Sequence, residues 1–149
     1  MYNILIILHV LAAIVWIGGM FFAYFALRPA IVSQLQPPQR LPLWAETLTC
    51  FFRWVWLAVA ILWLTGVFMM TMLSSNLPFY IVIMFILATL MTIIFISVFF
   101  ISFRQLKYRC LEQTWSEAAK SLDQIRIAVV CNLVLGATTV VFAASKWPV

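Results

Sequence analysis

The sequence predicts an all-α fold: a polytopic membrane protein whose four helices cross the bilayer as an antiparallel bundle, with both termini outside. Three observations predict it. Of the 149 residues, 66% are hydrophobic and 9% charged, against roughly half and a quarter in soluble domains. The apolar residues fall into four stretches, each near the ~20 residues that span hydrocarbon. The cations gather in two of the three connections between those stretches.

The first span is predicted over about 3–27, closed by Arg28-Pro29. No basic residue precedes it and its apolar run is longer than that of a signal peptide, so it reads as a retained helix. The second runs over about 51–73, preceded by a connection holding Pro29, Pro37, Pro38 and Pro42. Proline density predicts that the middle of this connection is not helical, and Pro42 suits a first helical position. Ser74-Ser75-Asn76 and Pro78 make a short turn into the third span, over about 78–103 and ended by Arg104. In the third connection Thr114-Trp115-Ser116-Glu117 has the pattern of a capping box. It predicts a surface helix that continues into the fourth span, over about 125–144. Spans must be helical because lipid offers backbone N–H and C=O groups no partner. Residues 1–149 form a single domain, too short to add a soluble catalytic one.

Charge sets the orientation. Arg28, Arg40 and Arg53 lie in or beside the first connection; Arg104, Lys107, Arg109, Lys120 and Arg126 lie in or beside the third. The turn between spans two and three has no charge, and only Lys146 follows the fourth span. The positive-inside rule puts the charged connections in the cytoplasm. Orientation and anionic headgroups therefore account for the net charge of +5, and no element reads as nucleic-acid binding. Cys50, Cys110 and Cys131 lack CxxC spacing and fall on or near the cytoplasmic side, where free thiols are the rule.

His9 is the one histidine. It lies six residues into the first span, roughly 9 Å below the outer end at 1.5 Å per residue. Two readings stand side by side: a neutral imidazole bonded to a neighbouring helix, or a ligand to copper or haem iron. Met69, Met72 and Met84 fall in the same leaflet. Thioethers suit Cu(I) and haem iron, although packing is the simpler reading for any one of them. Met69 and Met72, one turn apart, share a face better than either shares with Met70. Gly18-Gly19, Gly66 and Gly136 permit close helix approach or leave room for a flat macrocycle. Arg53 either snorkels to headgroups or holds an anion such as a propionate. Ser97 and Asn132 suit hydrogen bonds between helices. The cysteines lie on the other side from His9, and none of the four acidic residues lies in a span. A nucleophile–base pair and a carboxylate proton relay are therefore not expected.

In order, His9-Val-Leu-Ala-Ala-Ile-Val-Trp16-Ile-Gly18-Gly19, Phe51-Phe52-Arg53-Trp54-Val-Trp56, Leu64-Thr65-Gly66 and Asn132-Leu-Val-Leu-Gly136 resemble the CopD-like (copper resistance D) family of bacterial inner-membrane proteins. The resemblance implies a four-helix unit for copper handling, with a role for His9 and also for Trp16, Arg53 and Asn132. One position departs: relatives carry a histidine before the Val-Phe-Phe of the third span, where this chain has Ser97. No second, inner-leaflet site is carried over. Size and the first span also resemble the HemJ-type protoporphyrinogen oxidases, whose later segments are not found.

The first expectation is Cu(I) bound near the outer face by His9, Met69, Met72 and Met84, without catalysis. The second is a haem-b protein with His9 as axial ligand and Arg53 on a propionate, moving electrons or oxidising a hydrophobic substrate. The third is a non-catalytic accessory subunit. Expected partners are the lipid bilayer, a periplasmic copper protein or a larger membrane complex, and further copies of the chain.

Overall fold

The computed structural model describes residues 2–72 and 78–144. The turn expected over Ser74–Asn76, together with Lys146 and Trp147, lies outside the described residues. Four helices are long and apolar enough to cross a membrane: α1 (Tyr2–Gln34), α2 (Pro37–Thr71), α3 (Phe79–Leu111) and α4 (Trp115–Ala144). The described residues contain no strand. Leu64, Phe79, Ile127 and Val141 are each more than 60% exposed. Such a surface calls for hydrocarbon as solvent, so the chain is a multi-pass membrane protein in a lipid bilayer.

The first connection corrects the expectation of a non-helical proline segment: only Leu35 and Gln36 interrupt the helices. Two local devices accommodate Pro29, Pro37 and Pro38. A wide π-type turn over Ala23–Leu27, closed by the Arg28 N–H on the Ala23 carbonyl, stands just before Pro29. It opens the ladder where the proline ring would otherwise meet a carbonyl. Pro37 and Pro38 occupy the first two positions of α2, where a missing N–H costs nothing. The helix therefore begins at Pro37, and Pro42 sits inside it at the cost of one backbone bond.

The turn between α3 and α4 is also tighter than expected. The N–H of Thr114 reaches the Arg109 carbonyl at 3.0 Å and that of Gln113 reaches Cys110 at 3.3 Å. This is a Schellman closure, with Gln113 in the left-handed region at φ 57°. The capping box does not form. The Glu117 N–H goes to the Thr114 carbonyl, the Thr114 hydroxyl donates to the Arg109 carbonyl, and the Glu117 carboxylate pairs with Arg109 at 3.5 Å. Arg109 Nη1 also donates to Ser121 at 2.8 Å and to the Glu117 carbonyl at 2.9 Å. The arginine thus takes the carboxylate that a capping box would have used.

At ~1.5 Å per residue these helices are ~45–52 Å long, well beyond a ~30 Å hydrocarbon layer. The excess lies at the charged end, and so does the tightest packing. Leu41, Leu106, Ala118, Ser121 and Ile125 are at most 2% exposed. Water drives apolar groups together there, whereas in lipid there is no such drive. Deeper in, Phe52 sits edge-on to Phe103 (4.9 Å), Phe95 (5.6 Å) and Phe99 (5.8 Å). Toward the uncharged end, burial stops at Ala12, Thr65, Met91 and Gly136. There α1 packs on α2, and α3 packs on α4.

Candidate functional site

His9 lies one turn beyond the last buried layer at the uncharged end and is half-buried. Its Nδ1 stands 2.8 Å from Thr65 Oγ1. The Thr65 hydroxyl lies 2.6 Å from the Ile61 carbonyl, one turn back on its own helix. That carbonyl can only accept, so the hydroxyl proton goes to it. The hydroxyl oxygen then accepts from His9, which fixes the Nδ1–H tautomer and leaves the Nε2 lone pair free. Gly66 lies beside the ring: a Cβ there would stand 3.4 Å from His9 Cε1, in van der Waals contact.

Thr65 and Met69 lie four residues apart on α2, and Met72, its C-cap in helical conformation, follows three residues later. This spacing puts both methionines on the face that holds His9, about 6 and 10 Å along the axis from Thr65. Met69 is half-buried and Met72 exposed. Met84 is half-buried on α3, whose outer half packs chiefly on α4 rather than on α1. Arg53 is exposed on α2, twelve residues and so roughly 18 Å inward of Thr65. It does not share the histidine's neighbourhood. Among the described residues no group of three or more His, Cys, Asp and Glu could hold a metal ion.

Other residues singled out from the sequence have structural partners. Trp16 is buried, edge-to-face with Phe95 at 6.1 Å. Asn132 Nδ2 donates to the Met91 carbonyl at 3.2 Å, holding α4 to α3. Ser97 donates to the Ile93 carbonyl of its own helix at 2.9 Å. Cys50, Cys110 and Cys131 are unpaired. Close packing is seen at Gly19 and Gly136, with the looser contact of His9 at Gly66. Phe51 fills the space at Gly19, Ile17 and Met91 that at Gly136, and His9 that at Gly66, while Gly18 faces open surroundings.

Sequence reasoning missed Thr65. A signal was available in its i, i+4, i+7 spacing with the methionines, but a threonine in a span most often bonds its own helix. Only the register between α1 and α2 shows that it also serves the histidine.

Neither a curated protein sequence nor a solved structure matches the chain. The profile of the family described as copper resistance protein D matches residues 45–146. That stretch takes in most of α2 and all of α3 and α4, and leaves α1 with His9 outside it. Long apolar helices and a family match over more than half of the sequence agree, and the chain belongs to the CopD, copper resistance protein D, family of membrane proteins.

Proposed function

We propose that this copper-resistance-family protein binds Cu(I) near the uncharged rim of the bundle, through His9 Nε2 and the thioethers of Met69 and Met72. Met84 is the candidate further donor from α3. The observation that carries the reading is the chain from His9 Nδ1–H to Thr65 to the Ile61 carbonyl. Metal-binding histidines are commonly oriented by such a partner on the second ring nitrogen. A soft, low-charge ion suits one imidazole with thioethers, and a hard cation does not. Geometry favours convergence. Helical side chains lean toward their own N-terminus, so in antiparallel neighbours the His9 ring leans outward and Met69 leans inward, toward each other.

Copper is the cargo in this reading, and the protein performs no reaction on it. The positive-inside distribution of charge supports an inner-membrane orientation with this rim facing the periplasm, where a periplasmic copper protein is the fitting exchange partner. The test is anaerobic loading of the purified protein with Cu(I), followed by washing and metal analysis. Wild type should retain copper, and His9→Ala should insert and fold normally but retain little. Equal copper in the two proteins would refute the site.

A further inference from the structure

Two cationic side chains at the charged end border an apolar cleft that the copper reading does not use. The cleft lies between α1, α2 and α4, and its lining includes Met20, Leu48, Phe51 and Val129 together with Arg28 and Arg126. It is shallow, with about 30 Å³ open in it, so a ligand would lie along its apolar walls rather than enter a cavity. Its residues are ordered by depth. Arg28 closes the apolar run of α1 and Arg126 opens that of α4, while Met20 and Val129 lie further into the bilayer. The guanidinium groups therefore stand at headgroup level, with the apolar walls beneath them.

Neither arginine has its hydrogen-bonding capacity filled. Arg28 lies over the Tyr24 ring, its guanidinium carbon 5.4 Å from the centroid, a contact that leaves its N–H groups for an acceptor. Arg126 gives Nη1 to Asp123 at 2.5 Å, which steadies the guanidinium. Its Nε is nonetheless buried without a partner among the described residues. The side chain as a whole is 36% exposed, so a phosphate would meet the accessible part of the guanidinium rather than Nε, in a charge-assisted hydrogen bond.

We infer that this cleft is a binding site for one anionic phospholipid, with its phosphate between Arg28 and Arg126 and the first part of an acyl chain along Met20, Phe51 and Val129. Charge complementarity and the order of polar over apolar groups match a phospholipid of the adjoining leaflet. The site is independent of the copper reading and stands or falls separately.

The test reconstitutes the full chain in equal parts phosphatidylglycerol and phosphatidylcholine, washes it with delipidating detergent, and measures the retained lipids by mass spectrometry. Wild type should be enriched in phosphatidylglycerol. Arg28→Gln/Arg126→Gln should lower that enrichment by about fivefold per arginine, whereas Arg104→Gln/Lys107→Gln should leave it unchanged. Arg28→Gln alone, which leaves the Arg126–Asp123 pair intact, provides the same reading if the double variant folds poorly. Three results would each overturn the inference. They are undiminished enrichment in the Arg28 variants, an equal loss in the Arg104/Lys107 variant, and displacement of the lipid by inorganic phosphate.

Discussion

Replacing Thr65 by valine removes one oxygen and almost no volume. The side chain is buried, 5% exposed, and its oxygen joins His9 Nδ1 at 2.8 Å to the Ile61 carbonyl at 2.6 Å. In Thr65→Val the Nδ1–H loses its acceptor, so the imidazole is free to rotate or change tautomer. Hydrogen bonds between membrane helices average about 0.6 kcal/mol and reach about 1.7 kcal/mol, so the bundle should survive the change. Loss of an orienting partner typically lowers metal affinity by about 10–100-fold. The assay is an anaerobic competition titration of detergent-purified protein against a Cu(I) chelator, with a thermal melt as control. Thr65→Val should bind at least about tenfold more weakly at a melting temperature within a few degrees of wild type. Thr65→Ser, which keeps the oxygen, should recover most of the affinity. If valine and serine behave alike, or if valine binds as wild type does, the orienting role of Thr65 is wrong.

Adjacent glycines in α1 should respond in opposite ways. A Cβ at Gly19 would stand 2.8 Å from Phe51 Cζ and closer still to Cε2, whereas one at Gly18 meets nothing within 4 Å. Gly19→Ala should therefore lower stability by about 1–3 kcal/mol, while Gly18→Ala should be neutral or stabilising by up to ~1 kcal/mol; melting curves compare them directly. Gln113→Gly should stabilise the α3–α4 turn by about 1 kcal/mol, because a non-glycine residue pays that much to hold φ 57°. A lower melting temperature for that variant would contradict the turn assignment. Arg109→Met should cost about 1.5–3 kcal/mol, since it removes charged hydrogen bonds to Ser121 and to the Glu117 carbonyl.

The four helices were legible from hydropathy alone, because hydrocarbon leaves a chain few options other than helix. Their ends were not. Proline content suggested a broken segment around Pro37, yet three of those prolines occupy positions at a helix start or after a widened turn, where a missing N–H or a bulky ring is tolerated. Position within a turn, not composition, decides that outcome. The histidine stood out in sequence as the lone imidazole in a span. Its partner did not, because Thr65 is 56 residues away and only the packing register of α1 on α2 joins them. The turn at Gln113 was hidden for a related reason: nothing local marks a glutamine as left-handed.

The uneven burial along the bundle has a mechanical meaning. One end is clamped by interlocked side chains, while beyond Ala12, Thr65, Met91 and Gly136 no described residue is buried and the helices pack as two pairs, α1 on α2 and α3 on α4. Such a shape resembles tongs with a fixed pivot, and the two pairs at the tips are expected to part from one another more readily than the base opens. An ion lodged near the tips could then be taken up or surrendered without dismantling the bundle. Amide exchange along each helix should accordingly quicken from pivot to tip.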